Sequence, residues 1–267
     1  MEIVLVGAGK LATNLGKALR RCGHNVAQVY SRTMESAQAL ALITGATPLT
    51  RLDAVTTEAD LYIVSVKDSA VAQLVKELCK GREDKIFLHT AGSLPVSVFE
   101  GAAMHYGVLY PMQTFSKEKE VDFAGIPCFI EANDELSHRV IAGLAHELSR
   151  QVYELSSADR KYLHLAAVFA CNFANHCYTL SHDILESHGI PFSVMLPLID
   201  ETAEKVHLLK PADAQTGPAV RYDENVIGRQ ADLLKDNPLL KDIYEMMSRS
   251  IHQKAENKNN EKKEGND

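Results

Sequence analysis

A glycine-rich turn, Gly7-Ala8-Gly9-Lys10-Leu11-Ala12, follows directly on the unbroken β-rich run Glu2–Val6. It opens a segment in which Leu11, Leu15, Ala18, Leu19 and Cys22 recur at helical spacing until Gly23 stops them. The order strand, turn, helix constrains the chain more than any other stretch. Gly7 allows the tight turn, Gly9 lets the backbone approach a pyrophosphate with no Cβ in the way, and Ala12 permits close packing of helix on strand. Phosphates would then rest on free N–H groups at the positive end of the helix. A glycine turn kept for packing alone is the plainer alternative, weakened by the position of the motif inside a β-α-β unit.

The same alternation continues. A second strand is predicted over Asn25–Tyr30, and a helix between Thr33, a good N-cap, and Gly45, a good C-cap. Residues 61–66 read as an unbroken buried strand, Val71, Leu74, Val75 and Leu78 mark one helix face, and Ile86–His89 reads as a strand. Strands that are apolar throughout belong to parallel sheets covered by helices on both faces. Further strands are expected at 107–110, 127–131 and 152–155, with a helix at 136–148. Beyond Ser157 strand signals nearly vanish. Residues 158–188 read as one long helix broken by Gly189-Ile190-Pro191, and other helices continue to about Gln253. The expected fold class is α/β: a doubly wound, mostly parallel sheet in 1–156, followed by an all-α domain in 157–253. The tail, 254–267, has one Ala as its sole apolar residue and is expected to be disordered.

Composition excludes several function classes. With 28 basic against 35 acidic residues, the net charge of −7 argues against bulk neutralisation of nucleic-acid phosphates. Trp is absent and aromatics make up 6%, so stacking platforms for single strands are not expected. No apolar run approaches the ~20 residues of a membrane span, and no basic-then-apolar leader pattern is present. The five cysteines, Cys22, Cys79, Cys128, Cys171 and Cys177, are odd in number and scattered, which fits reduced thiols and a cytoplasmic chain. His176, His182 and His188 are spaced by six, so no metal site is expected. Neither an H-E-x-x-H pair nor a G-x-S-x-G elbow occurs.

The end of the second strand points to one nucleotide. A free ribose 2′-hydroxyl is usually held there by Asp or Glu, whereas this chain has Ser31-Arg32-Thr33. Ser31 can donate to a 2′-phosphate and Arg32 can fork onto it, so NADP is the expected cofactor. The plain alternative for Arg32 is a solvated loop charge. Val66-Lys67-Asp68 and Thr90-Ala91-Gly92 follow the fourth and fifth strands and should border the cofactor, unless they are merely short connections. In the helical half His164, Val168, Asn172 and Asn175 recur at spacings of four, four and three and should share one helix face. His164 is then a candidate proton donor and Asn172 an orienting group; a polar stripe satisfied at a dimer contact is the equal alternative.

Together GAGKLA from Gly7, the SRT ending at Thr33, YIVSV with Lys67-Asp68, HTAGSLP from His89 and LYPMQTF from Leu109 resemble the N-terminal domain of pyrroline-5-carboxylate reductases and deazaflavin-dependent NADP reductases. The closer resemblance is to Rossmann-like oxidoreductases whose C-terminal helical domain is of unknown function, through Thr216-Gly217-Pro218-Ala219-Val220-Arg221. It implies NADP binding and a helical domain, comparable to the C-terminal domain of 6-phosphogluconate dehydrogenases, that forms a homodimer. Departures narrow the substrate. Residues 166–171 lack the glycine-rich segment of the pyrroline-5-carboxylate reductases, and Val168 stands where related hydroxyacid dehydrogenases and ketopantoate reductases carry a catalytic Lys four residues before the Asn. Arg221 is followed by Tyr222-Asp223 and later Gln230, where the nearest family has Gly-Asp and a His. The expected function is NADP-dependent hydride transfer to or from a small C=O or C=N compound. Tyr110, Gln113, His164, Asn172, Thr216 and Arg221 are its candidate substrate-side residues. A non-catalytic NADP sensor or scaffold dimer is the alternative, and a deazaflavin-NADP reductase a weaker one.

Overall fold

The computed structural model describes residues 1–116, 119 and 121–264. The chain divides into two compact units, Met1–Asn172 and Phe173–Asp267. The first is built on an eight-stranded sheet with strand order β3-β2-β1-β4-β5-β6-β7-β8. Its strands are β1 Glu2–Val6, β2 Asn25–Tyr30, β3 Thr47–Leu49, β4 Leu61–Val64, β5 Ile86–His89, β6 His105–Pro111, β7 Cys128–Ala132 and β8 Val152–Glu154. All neighbours run parallel except β6 and β7. This is the doubly wound arrangement expected from the sequence.

The solid apolar strands follow from covering both faces. Ile3 and Leu5 of β1 join one core with α1 (Lys10–Arg21) and α4 (Glu135–Leu148) through Leu15, Leu19, Ile141 and Leu144. Val4 and Val6, pointing the other way by the period of two, join Tyr62, Phe87 and Phe99 under α3 (Asp68–Leu78). Side-chain caps set the helix starts. Thr33 accepts from Ser36 N at the head of α2 (Met34–Thr44), Asp134 from Ser137 N at α4, and Ser156 from Asp159 N at α5 (Ser157–Ala167). Gly45 closes α2 with a φ of 74°, the left-handed C-cap that glycine adopts without strain.

Two expectations need correction. The helix over 158–188 is interrupted by a π segment, Val168–Phe173, between α5 and α6 (Ala174–Glu186). Its wider turn rotates the following residues, so the shared face of His164, Asn172 and Asn175, reckoned for a regular α-helix, does not hold. The expected disorder of 254–267 also fails over most of its length. The second unit contains α7 (Leu196–Leu208), α8 (Pro211–Ala214), α9 (Pro218–Arg221), α10 (Glu224–Asp232) and α11, and α11 runs from Pro238 to Glu264. Propagating a packed helix through Ala255 and its Lys and Glu neighbours costs little once the nucleus exists, which carries Asn257, Asn259 and Asn260 along. Lys258 Nζ is moreover held by Ala212 O and by the Asp213 carboxylate. Residues 265–267 lie outside the described residues.

All five cysteines are free, and no described helix is long and apolar enough to cross a membrane. Among the described residues of the second unit only Ala219, Ala231 and Ser248 are buried. Large apolar side chains stand open to solvent along it, among them Val194, Leu196, Leu198, Val206 and Leu208. His182, Asp183 and Glu186 lie close enough to share an ion, but all three are exposed on α6.

Candidate active site

The loops singled out by sequence leave the carboxyl ends of strands that are adjacent and parallel: 7–12 after β1, 31–33 after β2, 66–68 after β4 and 90–92 after β5. Strand order reverses between β1 and β4, which makes this edge the place where an open α/β sheet binds ligands. Two glycines serve it in different ways. Gly7 has a φ of 122°, and a Cβ there would lie 2.0 Å from Ser65 O, so packing alone demands glycine. A Cβ on Gly9 would meet nothing within 4 Å, which leaves open space in front of α1. Gly9 is also the N-cap of α1 and offers its first turn no side-chain acceptor. Open space beside uncapped N–H groups fits a pyrophosphate.

Side chains fix the turn in place. Thr13 Oγ1 donates to Gly9 O at 2.9 Å, and buried Asn14 donates through Nδ2 to Lys10 O at 2.9 Å and Ser116 O at 2.8 Å. Asn14 thereby ties the turn to the loop after β6 that carries Gln113. Ala12 is buried, as close packing of helix on strand requires; Gly7 and Ala8 are buried too, Leu11 is half-buried, and Gly9 and Lys10 are exposed. At the end of β2, Ser31 N donates to Leu49 O at 3.0 Å, while the Arg32 side chain is exposed and makes no hydrogen bond or ion pair among the described residues. Such a guanidinium is free to meet a ribose phosphate. Lys67 and Asp68 are exposed beside half-buried Val66, and the Asp68 carboxylate accepts from Ser93 Oγ. Thr90 Oγ1 donates to Ser65 Oγ at 3.1 Å, and Ala91 N donates to His89 Nδ1 at 3.1 Å.

Tyr110 and His164, far apart in the chain, meet here. Tyr110 Oη and His164 Nδ1 are 3.1 Å apart, and both rings press on Gly92, where a Cβ would fall 2.7 Å from His164 Nδ1 and 2.8 Å from Tyr110 Cζ. Gly92 is thus the floor of the pair. Burial raises the Tyr110 hydroxyl above its ordinary value, with the Arg160 charge pulling the other way. Asn172, expected to join His164, is exposed on the π segment and makes no side-chain hydrogen bond among the described residues. Gln113 is exposed, its Oε1 accepting from Thr114 N at 2.8 Å. Thr216 and Arg221 belong to the second unit and are exposed there.

Sequence reasoning passed over the groups behind this pair. Arg160 is only 1% exposed and donates to Glu131 Oε2 at 2.5 Å, Leu94 O at 2.6 Å and Ser157 Oγ at 3.0 Å. Burial pushes the Glu131 carboxyl up, but hydrogen bonds from Ser157 and Arg160 outweigh it and hold the carboxyl below its usual range. His89 is fully buried; burial, helped by the Arg160 charge, lowers it to about 4. The sequence held a signal, because Arg160 lies one helical turn before His164 and so on the same face.

Residues 1–110 match the Rossmann-like domain family, and residues 126–251 match a domain of unknown function, DUF2520. No curated protein matches the chain. Among solved structures, BF3122 from Bacteroides fragilis, provisionally named an NADP oxidoreductase, is 56% identical, with a TM-score of 0.91 over 94% of this chain and 98% of that one. TM1727 from Thermotoga maritima is 21% identical, with a TM-score of 0.76 over 94% of this chain and 99% of that one. An imine reductase from Myxococcus stipitatus in complex with NADP+ is 15% identical, with a TM-score of 0.71 over 95% of this chain and 93% of that one. These last two share the fold. Given 56% identity over nearly the whole length of both chains, the protein belongs to the family in which a Rossmann-like domain is joined to a DUF2520 domain.

Proposed function

We propose that this chain is an NADP-dependent oxidoreductase acting on a small C=O or C=N compound. The observation that carries the reading is the Tyr110–His164 pair over Gly92, on the sheet edge where the nucleotide loops converge. The provisional name of the 56% identical relative agrees with it. Gly9 and the first turn of α1 would hold the pyrophosphate, Ser31, Arg32 and Thr33 the 2′-phosphate, and the loops at 66–68 and 90–92 would border the rest of the dinucleotide.

When bound, NADPH supplies a hydride to the substrate carbon. The substrate oxygen or nitrogen then needs a proton, and His164 is the proposed donor. Its Nδ1 is engaged by Tyr110, which fixes the ring, and its Nε2 makes no hydrogen bond among the described residues. Asn172 remains the proposed orienting group, and Tyr110, Gln113, Thr216 and Arg221 the proposed substrate contacts. An Arg among them suits a carboxylate or phosphate on the substrate. A second copy of the chain is the proposed cover for the apolar second unit, where Leu198 is 58% exposed and Leu208 84% exposed.

Purified protein mixed with NADPH and a panel of imines, 2-ketoacids and a deazaflavin tests the reading by loss of nicotinamide absorbance. Oxidation with an imine or ketone is expected. Binding of NADPH with no oxidation by any acceptor would instead identify a sensor, and oxidation by deazaflavin alone a deazaflavin reductase. Sedimentation of the same sample at micromolar concentration is expected to give twice the chain mass.

A further inference from the structure

Buried Arg160 and half-buried Glu131 form an ion pair that the proposed reaction does not use directly, and its location is informative. Arg160 Nη1 donates to Glu131 Oε2 on β7, and Nη2 donates to Leu94 O in the loop after β5 and to Ser157 Oγ at the start of α5. The Ser157 hydroxyl is saturated: it donates to Glu131 Oε2 at 2.6 Å and accepts from Val96 N at 2.8 Å as well as from Arg160. One cluster therefore joins three segments. The loop after β5 carries Gly92, β7 pairs with β6, where Tyr110 lies opposite Phe129, and α5 carries His164 one turn beyond Arg160. Buried ion pairs are a weak means of gaining stability, since apolar groups of equal volume often do as well. They do fix geometry, because a fork of charged hydrogen bonds tolerates little displacement.

We propose that Arg160 and Glu131 are a positioning pair, which locks α5 onto the loop after β5 so that His164 Nδ1 meets Tyr110 Oη over Gly92. The proposal rests on the reading of Tyr110 and His164 as the proton-delivering pair and adds the residues that hold them. Arg160 also places a positive charge near Tyr110. His164 on α5 touches the Tyr110 hydroxyl, and the charged or titratable groups whose fields act on it are Arg160 on α5, Cys171 on the π segment and Asp68 at the start of α3. Of these only Arg160 and Asp68 carry a fixed charge, and of opposite sign.

Arg160→Lys separates geometry from charge, since it keeps the cation and lacks the planar fork. If the fork positions His164, turnover of Arg160→Lys is expected to fall about tenfold in kcat, with KM, NADPH affinity and thermal stability close to those of the parent. Tyr110 is followed by the 295 nm tyrosinate absorbance of each protein minus that of its Tyr110→Phe counterpart, and loosening of α5 is expected to let water reach it and move its titration down, toward that of free tyrosine. Should the Lys variant not fold, Glu131→Gln keeps the shape of the acceptor without its charge and is expected to show the same loss of kcat and the same downward shift. A folded variant with parental turnover and parental Tyr110 titration overturns the proposal. Failure of the reductase reading shows elsewhere, as no NADPH oxidation by the unmodified protein.

Discussion

Gly7 and Gly9 stand two residues apart in one turn, yet the structure assigns them opposite consequences when each is replaced by alanine. At Gly7 the new Cβ lies 2.0 Å from Ser65 O and 2.7 Å from Ser65 C, both backbone atoms, and the φ of 122° is one that L residues avoid. The strained dihedral costs about 1–3 kcal/mol and the overpacking about 1–3 kcal/mol more. Gly7→Ala is therefore expected to lose about 2–6 kcal/mol, a large share of the ~5–15 kcal/mol that holds a domain folded. At Gly9 the φ of −77° suits any residue and the Cβ meets nothing within 4 Å. The entropy gained by restricting the unfolded chain opposes the slightly poorer N-cap, so the stability of Gly9→Ala should stay within about 0.5 kcal/mol of the parent. Its methyl group, however, would occupy the space proposed for the pyrophosphate. Losing one charge-assisted hydrogen bond, about 1.5–3 kcal/mol, weakens NADPH binding by about one to two decades. Thermal unfolding of the apo-proteins and fluorescence titration with NADPH read the two quantities separately. A Gly9→Ala variant that binds NADPH as tightly as the parent would falsify the placement of phosphate at this turn.

Other outcomes are expected at the same sheet edge. Arg32→Ala should cut the preference for NADPH over NADH by about one to two decades with stability unchanged, and an unaltered ratio of the two dissociation constants would remove the NADP assignment. His164→Ala should lower turnover by about 10²–10⁴-fold while NADPH affinity holds, and Tyr110→Phe, which frees the ring without removing it, should fall between that variant and the parent; full activity in His164→Ala would end its role as donor. His89 should make the protein acid-sensitive: held at about 4 when folded against ~6.5 when unfolded, it refuses a proton that the unfolded chain accepts, so stability present above pH ~6.5 is lost as pH falls toward 4, by about 3 kcal/mol at most. His89→Asn, which keeps an acceptor for Ala91 N but cannot titrate, should flatten that part of the acid-unfolding curve, and identical curves would show that His89 is not the group responsible.

Half of the candidate site is written in local sequence and half is not, for a physical reason. Phosphates are bound by backbone N–H groups and by the space in front of them, so the requirement falls on glycines at fixed short spacings, and Gly7, Gly9, Ser31 and Arg32 can be recognised from neighbours in the chain. The proposed proton delivery rests on two side chains in contact, and any pair of segments can supply such a contact. Tyr110 and His164 each stand out by residue type, but they lie 54 residues apart and only the packing of α5 on the loop after β5 brings them together. Arg160 was hidden by the opposite effect. A charged residue on a helix usually faces water, and the spacing of Arg160 from His164 does not reveal that its partners, Leu94 and Glu131, come from the loop after β5 and from β7. The π segment defeats periodicity in the same way: spacings of four, four and three define a face only while the turn keeps its width, and at Val168–Phe173 it does not. That widening falls where the first compact unit ends, at Asn172. His164, the proposed proton donor, therefore lies in the sheet unit on the same helix as Arg160, whereas the residues after the π segment, Thr216 and Arg221 included, take their positions from the other unit. The assignment of His164 accordingly stands on contacts within one unit, and those of Thr216 and Arg221 require substrate-dependent KM changes in their alanine variants.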